Sequence, residues 1–280
     1  MHKDTRWAKQ IIALQQEDGS WGDFHSLSQL SNSPITTEQA LRRLERLGYT
    51  LEDDCIQRAV SYMNDCLIGK VEIPDRKEKL HDWNIFTSLM LATRIRVFTK
   101  DNVAANKVAE QWAGVITGTF INGEYDYDKY VSAYYDTWGV KPRGGRLIDC
   151  VSFYQVSLLA DCLEKETEKD FIDYVINKDS GIYYIYDKKI CILPQVFESR
   201  HSSYYLTAIE LLSEYKYAKC KIRFVINWLN DNKNENGKWD MGKNVNDKVY
   251  FPLSDNWRKK EMREADCTER ISNLISKLSC

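Results

Sequence analysis

A short pattern of glycine followed two residues later by an aromatic side chain recurs along the chain at nearly even spacing. It occurs at Gly19-Ser-Trp21, Gly123-Glu-Tyr125, Gly181-Ile-Tyr183 and Gly237-Lys-Trp239. Gly69 lies near the middle of the longest interval, so the five glycines are 50, 54, 58 and 56 residues apart. Self-similarity at a fixed period is typical of stacked supersecondary units. The sequence therefore predicts one domain over residues 1–280, built from five units at about 1–50, 51–100, 101–164, 165–216 and 217–280.

Each glycine lies between two kinds of helical pattern. The helix before it has one apolar face, and the helix after it is apolar over most of its circumference, as at Trp83–Phe98, Val151–Leu163 and Tyr204–Tyr215. A helix that is apolar all round has to be buried on more than one side. The alternation predicts an all-α fold, an α/α toroid in which about five hairpins form an outer and an inner ring. The amino-terminal ends of the inner helices would then meet at one mouth.

Composition and charge narrow the classes of function. Lys plus Arg number 39 and Asp plus Glu number 41, which gives a net charge of −2 and argues against a nucleic-acid partner. The most apolar stretch, Ile85 to Phe98, contains Arg94 and Arg96, so we expect no transmembrane segment. The first residues lead straight into an amphipathic pattern, so we expect no export signal. We therefore expect a cytoplasmic protein whose eight cysteines are reduced thiols.

Two of the glycine turns carry a recognisable motif. Gln16-Glu-Asp-Gly-Ser-Trp21 resembles the Gln-Trp repeat of squalene and oxidosqualene cyclases, and Asn234-Glu-Asn-Gly-Lys-Trp239 is a partial copy. The β subunits of protein prenyltransferases share the same α/α toroid. This resemblance to the terpenoid cyclase and prenyltransferase superfamily implies an isoprenoid or isoprenoid diphosphate as ligand. Because five hairpins make a short ring, a partner subunit or a second copy of the chain could complete it.

The resemblance implies an acid site in the last unit. Class II terpene cyclases protonate their substrate with the middle Asp of Asp-x-Asp-Asp-Thr-Ala, and Glu264-Ala-Asp-Cys-Thr268 is similar to that motif. The general-acid role then falls on Asp266, with Glu264 and His201 tuning it. The sequence departs from the motif at three positions, and Asp266 also suits a simple helix cap.

A zinc site is the alternative that the resemblance implies. Prenyltransferase β subunits bind their metal through an Asp, a Cys and a His at the starts of two inner helices, and Asp149, Cys150 and His201 resemble that set. Zinc as a cofactor would suit these ligands with one position open for substrate. The family spaces the first two ligands as Asp-x-Cys, whereas Asp149 and Cys150 are adjacent. Each residue could equally be a cap or a small buried side chain.

The substrate would be bound by two further groups of side chains. Aromatic rings in the first turns of the inner helices would contact an isoprenoid chain, and arginines near a long connection from Asp126 to Arg146 would bind a diphosphate. The aromatic residues are Trp83, Phe153, Tyr154, Tyr204 and Tyr205, and the arginines are Arg143, Arg146 and Arg200. Ordinary core packing and a solvated basic loop explain the same residues. A toroid that only binds or docks a partner, without catalysis, is the third interpretation.

Overall fold

The computed structural model describes residues 2–25, 33–145 and 149–279. Those residues form twelve α-helices, one short 3-10 helix at Lys243–Val245 and one antiparallel pair of strands, β1 (Phe120–Ile121) and β2 (Glu124–Tyr125). The all-α prediction is confirmed. In chain order the α-helices are Arg6–Ala13 (α1), Thr37–Arg46 (α2), Asp54–Leu67 (α3), Trp83–Phe98 (α4), Val103–Thr119 (α5), Tyr127–Trp138 (α6), Phe153–Leu158 (α7), Lys165–Asn177 (α8), Arg200–Leu212 (α9), Lys216–Ile222 (α10), Phe224–Asp231 (α11) and Lys260–Ser279 (α12).

The predicted apolar helix of the second unit forms with the predicted bounds. α4 begins at Trp83 because the carboxylate of Asp82 accepts hydrogen bonds from the backbone N–H groups of Asn84 and Ile85, each at 3.1 Å. Of the two later apolar helices, α7 is shorter than predicted, at Phe153–Leu158, and α9 begins and ends earlier than predicted, at Arg200–Leu212. The five helices α2, α4, α7, α9 and α12 come one from each unit.

The first and fifth units use their tryptophans in the same way. The indole Nε1 of Trp21 donates to the carbonyl oxygen of Ile11 at 2.7 Å, and Nε1 of Trp239 donates to that of Leu229 at 2.6 Å. In both cases the acceptor lies ten residues earlier, in the helix that precedes the glycine turn. The tryptophan thereby ties the turn back to its first helix.

The same tryptophans also tie the turn forward to the second helix of their unit. The backbone N–H of Trp21 donates to the hydroxyl of Thr37 in α2 at 2.9 Å, and that of Trp239 donates to the hydroxyl of Thr268 in α12 at 3.2 Å. Thr37 and Thr268 therefore occupy equivalent positions. Two units 218 residues apart share one local structure, as the glycine repeat predicts.

The two ends of the described chain are in contact. Trp7 donates its indole N–H to the carbonyl oxygen of Ser254 at 3.1 Å, and the backbone N–H of Arg6 donates to Asp255 at 2.9 Å. The imidazole of His2 lies 3.0 Å from the carboxylate of Glu269 in α12. The first unit thus packs against the fifth.

Two predictions about the chain path need correction. The connection from Asp126 to Arg146 is not irregular throughout, because Asp126 caps helix α6 by accepting a hydrogen bond from Lys129. The last helix begins at Lys260, so Asp266 lies well inside α12 rather than at its start. Across residues 2–25, 33–145 and 149–279, no helix combines the length and the apolar character needed to cross a membrane.

Candidate functional site

A cavity of about 530 Å³ is lined by one helix from each of the five units. Its walls come from α2, α4, α7, α9 and α12, together with the segment around Tyr250 and Leu253. This arrangement is consistent with the prediction that one helix from each unit faces a common cavity. Most lining residues belong to the carboxyl-terminal halves of the helices, however, whereas the sequence predicted a site at their amino-terminal ends.

The walls of this cavity carry many charges. Seven basic and five acidic side chains line it, so the basic groups are in excess. The basic residues are Arg42, Arg46, Arg94, Arg96, Lys100, Arg270 and Lys277, and the acidic residues are Glu45, Asp161, Glu210, Glu214 and Glu269.

Glu210 neutralises two of the arginines. Its carboxylate lies 2.7 Å from the guanidinium of Arg46 and 2.7 Å from that of Arg270. Burial alone would raise the pKa of Glu210, but the charges of Arg270 and Arg46 lower it to about 2. Glu210 is therefore ionised at neutral pH and fixes the two arginines on either side of it.

Three other cations in the cavity have no such partner. Within the described part of the chain, no carboxylate forms an ion pair with Arg42, Arg96 or Lys100. Arg42 donates to the hydroxyl of Tyr250. In the same part of the chain, Arg96 donates only to neutral acceptors, which are the carbonyl oxygens of Leu158 at 3.3 Å and Ala160 at 3.4 Å, the side-chain oxygen of Asn106 and Sγ of Cys162 at 3.0 Å. Burial and the charge of Arg96 lower the pKa of Lys100. Arg42 is half-buried, Arg96 is buried and Lys100 is exposed, so this part of the wall carries positive charge without a carboxylate in contact.

Arg94 connects the cavity to a buried polar cluster. Its guanidinium donates to Oε1 of Glu38 at 2.7 Å, while Oε2 of Glu38 accepts from the Tyr154 hydroxyl at 2.9 Å and lies 2.9 Å from Nδ1 of His25. Burial alone would raise the pKa of Glu38, but Arg94 and His25 hold it well below its usual range. Burial acts to lower the pKa of His25, yet the bond to Glu38 and its charge leave it raised.

Aromatic rings surround His25. Its ring centroid lies 5.7 Å from that of Phe86 and 6.0 Å from that of Tyr184. His81 packs against the same Phe86 at 4.5 Å and against Trp83 at 6.1 Å. Both ring nitrogens of His81 are buried without a hydrogen-bond partner in the described residues.

The predicted substrate-binding aromatics divide between separate places. Trp83 and Tyr154 belong to the group of side chains around His25, which also includes Glu38, His81, Phe86 and Tyr184 and is called the His25 cluster below. Phe153 lies beside Tyr154, with 5.3 Å between the ring centroids, and also lines the cavity. Tyr205 is buried elsewhere, against Tyr186 at 5.2 Å.

Tyr204 and His201 line a shallow cleft of about 390 Å³ formed with residues 182–187. The ring of His201 packs against Tyr186 at 4.6 Å, and burial lowers the pKa of its imidazole. Neither Tyr204 nor His201 is part of the cavity wall.

The predicted acid residues have structural contacts. Oδ2 of Asp266 accepts three hydrogen bonds of 2.8–2.9 Å, from the backbone N–H groups of Leu253 and Ser254 and from the Ser254 hydroxyl. Glu264 accepts from the side-chain amide of Asn234 at 2.9 Å. Asp266 and Glu264 are both buried, and neither belongs to the cavity lining. Asp266 thus holds the segment that precedes α12.

The three predicted zinc ligands are not brought together. Asp149 forms an ion pair with Lys178 at 2.7 Å, and the Cys150 thiol is fully buried beside Asp149, where burial raises its pKa. His201 lies in the cleft described above. Among residues 2–25, 33–145 and 149–279, no group of three or more His, Cys, Asp or Glu side chains could hold a metal ion.

The predicted phosphate-binding arginines lie away from the cavity. Arg143 and Arg200 are exposed, and Arg200 donates to the backbone carbonyl oxygens of Asn244 and Asn246 at 2.8 and 3.2 Å. Arg146 lies outside the described residues. The arginines that do face the shared space are in α2, α4 and α12. In the sequence, Arg94 and Arg96 could have indicated this cavity, because charged residues inside an otherwise apolar helix require buried partners.

Comparison with known proteins identifies no relative. No protein-family model matches the chain, and no curated protein and no solved structure matches it significantly. What the chain binds therefore has to be argued from the cavity and from the His25 cluster.

Proposed function

We propose that α2, α4, α7, α9 and α12 are the inner ring of an α/α toroid and that its central cavity binds an anionic ligand. The observation that carries this proposal is the group of three cationic side chains in the cavity wall, Arg42, Arg96 and Lys100, that lack carboxylate partners. A buried or half-buried cation without a counter-charge, as at Arg96 and Arg42, costs free energy that a bound anion recovers, and the exposed Lys100 adds to the attraction. Guanidinium groups in particular match the oxygens of phosphates and carboxylates.

An isoprenoid diphosphate is the anion that we favour. The cavity combines the three cations with apolar side chains, so it suits a ligand that has both a diphosphate and a prenyl chain. The apolar lining includes Val97, Phe153, Leu211, Leu253 and Leu274. The Gln-Trp turns, with their equivalent Trp21 and Trp239 contacts, support the resemblance from which this ligand was predicted.

The proposal is one of binding and assigns no reaction. Proton-initiated cyclisation would place Asp266 as the acid, but Asp266 binds the backbone of residues 253–254 and lies outside the cavity wall. Zinc-assisted prenyl transfer would need Asp149, Cys150 and His201 at one point, which the described structure does not provide. A non-catalytic binding module is the interpretation closest to the geometry.

Isothermal titration calorimetry with three probes tests the proposal. Farnesyl diphosphate should bind more tightly than inorganic diphosphate, and farnesol should bind weakly, since the anion is expected to contribute most of the free energy. Arg42→Gln should weaken binding of farnesyl diphosphate by about tenfold, the usual loss for one hydrogen bond to a charged group. Equal binding of farnesol and farnesyl diphosphate would contradict the proposal.

Arg76→Gln supplies the matched control, because Arg76 is exposed and is not part of the cavity wall. Its affinity for farnesyl diphosphate should equal that of the wild type. If inorganic diphosphate binds as tightly as farnesyl diphosphate, the cavity binds an anion but does not recognise the prenyl chain, and the isoprenoid part of the proposal is wrong.

A further inference from the structure

We propose that the cleft formed by residues 182–187, His201 and Tyr204 binds a small quaternary ammonium cation of the choline type. This cleft of about 390 Å³ shares no lining residue with the cavity. The inference therefore goes beyond anion binding in the cavity and does not depend on it.

Aromatic rings make up most of the cleft. Five of its eight lining residues carry one, and these are Tyr183, Tyr184, Tyr186, His201 and Tyr204. The ring centroids of Tyr183 and Tyr184 are 4.2 Å apart, and those of Tyr186 and His201 are 4.6 Å apart. A cation is attracted to the face of an aromatic ring within about 6 Å of its centroid, and a group of such rings suits a quaternary ammonium ion.

The tyrosine rings of the cleft hold no cation of the chain itself. Elsewhere, Lys178 lies over the ring of Tyr174 at 4.9 Å, and other lysines and arginines cover aromatic rings in the same way. Within residues 2–25, 33–145 and 149–279, no Lys or Arg lies over the ring of Tyr184, Tyr186 or Tyr204. The attraction of these rings for a cation is therefore available to a ligand.

The charges of the cleft favour a cation over an anion. Asp187, with its carboxylate, is the one Asp, Glu, Lys or Arg residue in the described lining. Burial and the charge of Lys188 lower the pKa of His201, so its imidazole is neutral at neutral pH and does not repel a cation. Lys188 is exposed and is not part of the lining. The cleft thus has the opposite charge preference to the cavity.

The turn that carries three of the tyrosines is fixed by backbone hydrogen bonds. The N–H of Ile182 donates to the carbonyl oxygen of Tyr186 at 2.8 Å, and the N–H of Tyr186 donates to that of Ile182 at 2.9 Å. Tyr183 donates to the carbonyl oxygen of Val151 at 3.1 Å and accepts from the N–H of Phe153 at 3.0 Å. The turn is bonded to itself and to the start of α7, so its rings are preorganised for a ligand.

Tyr184 adopts a backbone conformation that costs free energy. Its φ is 70°, in the left-handed region that favours glycine. Its ring packs against the His25 cluster, 6.0 Å from the ring of His25 and 5.7 Å from that of Tyr154, while the residue stays 42% exposed. Strained residues of this kind cluster at ligand sites. A binding role explains why an aromatic ring is presented to solvent from this position.

Isothermal titration calorimetry with choline and 3,3-dimethyl-1-butanol tests the proposal, because the two molecules have the same shape and only choline is charged. Choline should bind at least tenfold more tightly, since the uncharged molecule lacks the cation–π attraction. The N-methyl ¹H NMR signal of choline should also move upfield on binding, because these protons would lie over ring faces. Absence of choline binding, equal affinity of the two molecules or an unshifted N-methyl signal would each overturn the proposal.

Two substitutions in the cleft locate the binding site. Tyr184→Gly relieves the positive φ and removes one ring, so it should fold and weaken choline binding by about fivefold. Asp187 is exposed, so Asp187→Asn should also fold, and loss of its charge should weaken choline binding by about threefold. Tyr127→Leu is the matched control, because Tyr127 is 62% exposed and lies outside the cleft, and its affinity should equal that of the wild type. Wild-type affinity in both cleft variants would contradict the proposed site.

The headgroup of phosphatidylcholine carries the same cation, so a second experiment separates it from a small free ligand. In the lipid a phosphate follows the ammonium group, and the carboxylate of Asp187 would repel it. The protein should therefore not co-sediment with phosphatidylcholine vesicles. Co-sedimentation that excess choline prevents would identify a lipid headgroup as the ligand and overturn the assignment to a small cation.

Discussion

Arg94 and His25 bind opposite oxygens of one buried carboxylate. The Arg94 guanidinium donates to Oε1 of Glu38 at 2.7 Å, and Nδ1 of His25 lies 2.9 Å from Oε2. The three residues come from α4, from α2 and from the segment that follows the first glycine turn. Glu38 therefore joins the first unit to the second at the point where the cavity and the His25 cluster meet.

Glu38→Gln should lower the free energy of unfolding by about 3 kcal/mol, because removal of one partner leaves the buried Arg94 charge without compensation. Urea denaturation of the variant and the wild type measures the difference. Glu269→Gln is the matched control, since Glu269 is 46% exposed and its contact with His2 should contribute little. Equal losses of unfolding free energy in the two variants would mean that Glu38 stabilises the fold no more than an exposed carboxylate does.

The stabilisation that His25 provides should depend on pH. The pKa of His25 is raised in the folded chain above its ordinary 6.5, so its contribution is complete below 6.5 and is lost as pH rises through the folded value. His81 acts in the opposite sense because burial lowers its pKa, so its contribution is lost as pH falls.

The stability difference between wild type and His25→Gln isolates the first effect. We expect it to be larger at about pH 5.5 than at about pH 9, as measured by urea denaturation at each pH. A difference that stays constant across this range would show that His25 does not gain its proton affinity from Glu38.

The sequence predicted the parts of the fold that depend on local chemistry. Asp82 suits a helix cap, and α4 begins at the next residue. The glycine turns predicted a repeated local structure, and Trp21 and Trp239, at the same spacing from glycine, make equivalent contacts in the first and fifth units. These features are set by residues close together in the chain.

The candidate site was mostly hidden from the sequence because its charges neutralise one another across units. The polar sequence of α2 is typical of a surface helix, yet its buried Glu38 pairs with Arg94 of α4 and its half-buried Arg46 pairs with Glu210 of α9. A pattern of apolar residues cannot reveal a helix buried through ion pairs. Asp266 shows the opposite error, since its motif suggested chemistry and its contacts are with the backbone of Leu253 and Ser254.

Gly19→Ala should destabilise the chain more than Gly69→Ala. Both glycines have positive φ, at 93° and 77°, so alanine is strained at each by about 1 kcal/mol. At Gly19 the new methyl carbon would also lie 2.5 Å from the carbonyl oxygen of Arg58, whereas nothing lies within 4 Å at Gly69. Thermal or urea denaturation compares the two variants, and equal losses would contradict the close approach at the first turn.

Trp21→Phe and Trp239→Phe should cost similar free energies of unfolding. Each substitution keeps an aromatic ring but leaves a carbonyl oxygen, of Ile11 or of Leu229, without its indole donor. Each carbonyl oxygen keeps a backbone hydrogen bond, from Leu14 or from Asn232, so we expect the loss of the indole bond to cost about 1 kcal/mol in each case. Trp138→Phe is the control, because Trp138 packs against Trp112 at 4.8 Å through its ring. The prediction is contradicted if Trp21→Phe lowers the free energy of unfolding more than Trp138→Phe does, while Trp239→Phe lowers it no more than Trp138→Phe. The two units would then not share one stabilising contact.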